Sequence, residues 1–209
     1  NLDFINLSVL AVFIPTFFFV SLTPGMCMTL SLSMGMSIGL KKTLFMMYGE
    51  LLGVGLVATA SVIGVATIML QYPEFFIVLK YVGGVYLSYL GITMWLSRGK
   101  MALNLDSCSF DVSKKNLAFQ GFITAIANPK GWAFFIALLP PFINEQLSLA
   151  PQLAVLLFFI LLLELICLII YASGGSTLRK LLQNSSNVKL LNKIAGSMMI
   201  GVGIWLALS

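Results

Sequence analysis

Phe17-Phe18-Phe19-Val20-Ser21-Leu22-Thr23-Pro24-Gly25-Met26-Cys27-Met28 decides the fold, because a helix-breaking Thr-Pro-Gly falls inside a long apolar stretch. A proline removes one backbone donor and clashes with the preceding turn, and in lipid the freed polar groups need partners inside the protein. A second break, Asn128-Pro129-Lys130-Gly131, falls inside the fourth apolar stretch. A simple anchor keeps its helix unbroken. Paired interruptions at corresponding places in two halves of a membrane protein point to a substrate site at mid-depth, as in a transporter.

Composition agrees. Hydrophobic residues make up 59% of the 209, charged residues only 9%, and the mean hydropathy is +1.02. Soluble domains average about a quarter charged residues, so the chain reads as one integral membrane domain, 1–209, with no room for a separate catalytic domain. The net charge of +5 does not indicate nucleic acid, since the basic residues are scattered among loops. Histidine is absent, and Cys27, Cys108 and Cys167 show no CxxC spacing, so neither a metal site nor a cofactor is suggested. The first stretch lacks the basic start and early cleavage site of a secretory signal and reads as a retained span. The opening Asn1 suggests that one or more initiating residues precede it.

Six apolar stretches are predicted to span: roughly 4–39, 43–70, 75–96, 117–143, 153–172 and 194–208. A crossing takes about 20 residues. The first stretch is too long for one straight crossing, so it either tilts and kinks or consists of two half-helices meeting at Pro24. The last is short, and its helix is expected to begin near Val188. Loop charge sets orientation. Lys41, Lys42, Arg98, Lys100, Lys114, Lys115, Arg179, Lys180, Lys189 and Lys193 all fall on one side. The Asp3 end, the 71–74 turn and the 144–150 turn carry no Lys or Arg. The basic loops are therefore expected in the cytoplasm and both termini outside.

Residues 1–97 and 117–209 each hold three spans, joined by a cytoplasmic linker at 98–116. Three is odd, so a duplicated unit enters the membrane upside down. The predicted fold is all-α, with six transmembrane helices as two inverted three-helix repeats, helices 1 and 4 being interrupted at Pro24 and Pro129. Glycines at 35 and 39, 49 and 53, 83 and 84, and 196 and 201 suit close helix packing in lipid.

Charges inside spans are costly and therefore informative. Glu50 lies roughly 12 Å in from the basic end at helical rise, and Glu164 falls in the same half of its own span. Either carboxylate can bind a substrate ammonium or carry a proton; a packing role is the plainer reading. Lys130, near mid-depth, can meet a substrate carboxylate, pair with Glu50, or snorkel. Lys80, near a span end, reads as structural. Amides of Met26, Cys27 and Met28, and of Gly131, Trp132 and Ala133, open the second half-helices and can face an anion. Thr23 and Asn128 add polar side chains at that level. The candidate substrate site is thus Thr23, Pro24, Gly25, Asn128, Pro129, Lys130 and Glu50, with Glu50 and Glu164 as proton-coupling candidates. A small zwitterion fits it. Tyr48, Tyr81, Tyr86, Tyr89, Trp95 and Trp205 read as interfacial anchors, and Trp132 as core.

Several motifs carry a resemblance: Thr23-Pro24-Gly25 with Gly35 and Gly39, Leu79-Lys80-Tyr81-Val82-Gly83-Gly84 leading to Tyr89-Leu90-Gly91, and Asn128-Pro129-Lys130-Gly131 leading to Leu139-Pro140. With Ala195-Gly196, Gly201 and Gly203, these resemble the LysE/RhtB family of bacterial amino-acid exporters along essentially the whole chain. The resemblance implies six spans in the bacterial cytoplasmic (inner) membrane and export of amino acids or close derivatives by proton antiport. It implies no enzyme activity, and a homodimer is compatible with it. Met26 stands where the family usually has a second proline, which leaves one more backbone donor at the break. Two other readings compete. A membrane thiol-disulfide carrier needs a cysteine near each break, but the position matching Cys27 is Trp132. A metal-cation exporter needs His or acidic clusters.

Overall fold

The computed structural model describes residues 7–72, 74–99, 110, 112–144 and 146–208, without the side chains of Phe76 and Pro141. Asp3, Lys100, Cys108 and most of the expected linker lie outside these residues. The described residues form eight α-helices. They are α1 (Leu7–Leu22), α2 (Met26–Ile38), α3 (Leu40–Gln71), α4 (Phe75–Trp95), α5 (Lys114–Ile126), α6 (Pro129–Leu138), α7 (Leu149–Gln183) and α8 (Ser185–Leu208), with a short 3₁₀ turn at Pro140–Phe142.

Both expected breaks are present. The first stretch is two half-helices, α1 and α2, bent by 57° across Thr23–Gly25. The fourth divides at Ala127 and Asn128 into α5 and α6 of 13 and 10 residues, each too short to cross alone. Four helices (α3, α4, α7 and α8) are long and apolar enough to span, or five spans if the bent α1–α2 pair counts as one. α8 begins at Ser185, three residues before the expected Val188. α7 runs for 35 residues but bends at Gly175, whose φ of 51° and ψ of −141° interrupt the helix.

Glycines set the closest helix contacts and reveal helix direction. A Cβ on Gly84 would lie 2.7 Å from the Gly203 carbonyl, and one on Gly91 2.5 Å from the Gly196 carbonyl. The pairing descends along α8 as it ascends α4, so these two helices are antiparallel. Gly49 and Gly53 instead meet Ala118 and Phe122, ascending together, so α3 and α5 are parallel. Gly35 meets Ala172, and Ser31 donates to the Leu168 carbonyl, which makes α2 parallel to α7. Gly201 has nothing within 4 Å and takes no part in such packing.

These directions gather the charges. Lys114 sits over the Phe45 ring and Gly99 abuts Ser185, so the basic segments at the start of α3, end of α4, start of α5 and α7–α8 junction share one end. The opposite end brings the last turns of α3 beside Asn144 and Leu147. Trp95 anchors the basic end: its indole donates to Ser197 and lies under Lys193. Tyr48, Tyr81, Tyr89 and Trp205 are exposed, as interfacial anchors would be. Lys80 stays beside the Tyr81 ring.

Candidate functional site

Each break frees a carbonyl that would have bonded to the nitrogen of its proline. At the first, this is Val20 O, four residues before Pro24; it accepts from the Thr23 hydroxyl at 2.6 Å and from Lys130 Nζ at 3.5 Å. Leu22 O accepts from the Tyr171 hydroxyl at 2.6 Å. At the second break, Ala125 O, four residues before Pro129, takes the Asn128 amide at 3.3 Å, and Ile126 O takes the Trp132 indole at 2.8 Å. Side chains, and at Ala125 O a backbone amide, therefore replace the lost helical bonds, as a lipid setting demands. Trp132 closes the end of α5 and packs against the core.

The breaks touch. Lys130 Nζ donates to Thr23 Oγ1 at 2.8 Å, and Asn128 Nδ2 lies 3.9 Å from Cys27 Sγ. Between them lies a cavity of about 80 Å³. Thr23, Gly25, Asn128, Lys130, Glu50 and Glu164 all line it, so six of the candidate residues converge. Its apolar wall comes from Phe17, Val54, Phe134 and Phe135. Pro24 and Pro129 do not line it: Pro24 borders a neighbouring cavity, and Pro129 is exposed. Their contribution is to break the helices.

Glu50 is fully buried, and neither of its carboxyl oxygens has a hydrogen-bond partner among the described residues. Close packing puts it there, since a Cβ on Gly121 of α5 would lie 2.9 Å from the Glu50 amide. Its carboxyl neighbours Glu164 and the Cys27 thiol. Glu164 is buried and accepts from the Ser21 hydroxyl at 2.6 Å. The two carboxylates thus converge, although they come from different spans. Lys130 makes no ion pair with Glu50 among the described residues; its ammonium is held by Thr23 and Val20 O.

The half-helix amides differ from expectation at α6. Asn128 caps that helix by accepting from the Lys130 amide at 3.1 Å, and its carbonyl accepts from Gly131 at 3.1 Å and Trp132 at 3.5 Å. An asparagine before a proline at the first helical position is itself a capping signal, which closes these donors. At α2 the first helical bond is Thr29 to Gly25 O, so the amides of Met26, Cys27 and Met28 have no intrahelical partner. Ser21, which holds Glu164, was not among the expected site residues. Its place one helical turn after Phe17 and two residues before Thr23 was the available signal.

The profile of the LysE type translocator matches residues 18–209. A homoserine/homoserine lactone efflux protein of Salmonella typhimurium is 26% identical over 187 residues, covering 90% of each chain. A leucine efflux protein of Klebsiella pneumoniae is 27% identical over 195 residues, again 90% of each. An uncharacterized membrane protein of Vibrio cholerae is 29% identical over 187 residues and 90% of each chain. No solved structure matches the chain.

Proposed function

The chain belongs to the LysE type translocator family, and from that premise we propose that it exports small zwitterionic amino acids or close derivatives in exchange for protons. The observation that carries this reading is the cavity in which a half-buried cation and two buried carboxylates meet at paired helix breaks. Lys130 takes the substrate carboxylate, supported by the open amides of α2. Thr23 and Val20 O hold the lysine until the substrate arrives. Glu50, with no competing hydrogen bond, receives the substrate ammonium, and Glu164 is its neighbour across the cavity.

A proton and an ammonium compete for the same carboxylate. When the protonated carboxyl releases its proton, it can bind the ammonium; when the ammonium leaves, it is reprotonated. That competition couples outward amino-acid flux to inward proton flux. Homologues named for homoserine and leucine efflux support an amino-acid substrate.

The packing directions support six crossings in one transmembrane unit. In each half, the broken helix packs on the second long helix of the other half: α1 and α2 on α7, and α5 and α6 on α3. α4 and α8 pair antiparallel. That exchange is what two inverted repeats produce. The shared basic end favours basic loops in the cytoplasm, termini outside and the bacterial inner membrane as the location.

The test is an efflux panel. Cells loaded with dipeptides of each amino acid, with and without the protein, should differ in export of at least one of them. Glu50→Gln should abolish that export while leaving membrane insertion intact, and Glu164→Gln should be milder. Normal export with unchanged pH dependence in Glu50→Gln would sink the proton-exchange reading.

A further inference from the structure

A second cavity, of about 240 Å³, lies on the other side of Lys130, between the breaks and the α4–α8 pair. It shares Thr23, Lys130 and Phe134 with the central cavity, so these three side chains form the partition between the two. From Lys130 it follows Leu90, Thr93 and Met94 of α4 and then Ser97, two residues past the end of that helix. The spacing of three and four places Leu90, Thr93 and Met94 on one helical face. It ends where Asn192 Nδ2 donates to Ser97 Oγ at 2.6 Å, next to Arg98 and Lys193 at the basic end.

The opposite end is separated. A cavity of about 370 Å³ beside the end of α3 shares no lining residue with the central one. Phe13 stacks on Phe17 at 5.7 Å and meets Phe142 edge-on at 5.2 Å, while Phe17 continues to Phe135 at 6.0 Å. These four rings are at most 5% exposed and lie on that side of the central site.

We propose that the α4–α8 cavity is the vestibule through which a small zwitterionic amino acid reaches Lys130 from the basic end. The proposal rests on the reading of Lys130 and Glu50 as the central site. Arg98 and Lys193 at the rim attract the carboxylate. Ser97 accepts from Asn192 and keeps its own hydroxyl proton to offer a ligand. At the inner end the carboxylate meets Lys130, and exchange of Thr23 for carboxylate on that ammonium opens the partition. The vestibule thereby gives Ser97, Thr93 and Asn192 a role in substrate access.

Single cysteines at Thr93 and Ala66, with Cys27, Cys108 and Cys167 replaced, test this with a charged, membrane-impermeant thiol reagent in inside-out and right-side-out vesicles. Thr93→Cys should react at least tenfold faster when the basic loops face the reagent, and Ala66→Cys at least tenfold faster from the other side. Labelling Thr93→Cys should then cut efflux at least tenfold, relative to the same protein before labelling. Because modification follows folding, loss of activity cannot come from misfolding. Reaction only with a lipid-soluble maleimide, faster reaction from the wrong side, or full efflux after labelling would overturn the vestibule. Glu50→Gln separates the two failures. If it is dead while labelled Thr93→Cys still exports, the central site stands and the vestibule falls. If it exports normally, the central reading is the one that fails.

Discussion

The two helix breaks share a proline and a depth, yet they present opposite chemistry to the cavity. The first, at Thr23–Gly25, ends in glycine and has no side-chain cap, so the amides of α2 stay open. The second is closed by the Asn128 side chain and carbonyl, which use the amides of Lys130, Gly131 and Trp132. What the second break offers instead is the Lys130 side chain, reaching across to Thr23. One break supplies backbone dipole and the other a full charge. In the proposed reading, the two breaks complement each other around one substrate carboxylate.

Removing the charged half of that arrangement should have the largest effect. Lys130→Met keeps most of the side-chain volume but loses the ammonium, and should reduce efflux roughly 100-fold. That corresponds to about 3 kcal/mol, the upper range for a hydrogen bond to a charged group. Lys130 is half-buried, and the Thr23 hydroxyl keeps its own bond to Val20 O without it, so insertion and detergent monodispersity should be retained. Efflux near normal would mean that the α2 amides bind the carboxylate unaided.

How much of this was legible in the sequence follows from what each signal rests on. The breaks were readable because proline chemistry is local: Pro24 and Pro129 end helices wherever they sit in an apolar run. Glu50 and Glu164 stood out because charge is rare in a span. Their convergence was only suggested by similar depth, since it depends on α3 packing against α7, and no local pattern encodes that partner. Ser21 was missed because a hydroxyl inside a span is cheap and usually bonds to its own helix; here it reaches Glu164. The closed amides of α6 could have been read, since Asn-Pro is a capping pair. The 57° bend between α1 and α2 could not, because packing rather than composition sets its size.

Thr23 tests whether the breaks compete with substrate or cooperate with it. Thr23→Val removes the hydroxyl that Lys130 holds at 2.8 Å and keeps the shape. If substrate must displace this bond, half-saturation should fall, by about fivefold for a hydrogen bond of ~1 kcal/mol. Measured efflux against internal amino-acid concentration decides it. A rise instead would make Thr23 a direct substrate ligand.

The Asn128 cap tests the closed break alone. Asn128→Ala should cost about 1 kcal/mol of stability, read as a lower thermal midpoint in detergent, whereas Asn128→Asp should restore most of it by accepting the same amide. Equal losses in both variants would mean that the Nδ2 contact to Cys27, rather than the cap, holds α6 in place.

The smallest effects should come from one methyl at each break, and they should differ. A Cβ on Gly25 would lie 3.9 Å from Lys130 Nζ, in ordinary contact and without backbone strain. Gly25→Ala should therefore fold normally but crowd the place where a carboxylate meets the ammonium, weakening half-saturation a few-fold. A Cβ on Gly131 would meet nothing within 4 Å. Gly131→Ala sits in the first turn of α6, where replacing glycine should stabilise the helix by up to about 1 kcal/mol and leave half-saturation unmoved. Paired efflux curves and thermal midpoints for the two variants read this directly. If Gly131→Ala weakens half-saturation as much as Gly25→Ala does, substrate sits symmetrically between the breaks, and the division between an open backbone and a charged side chain fails.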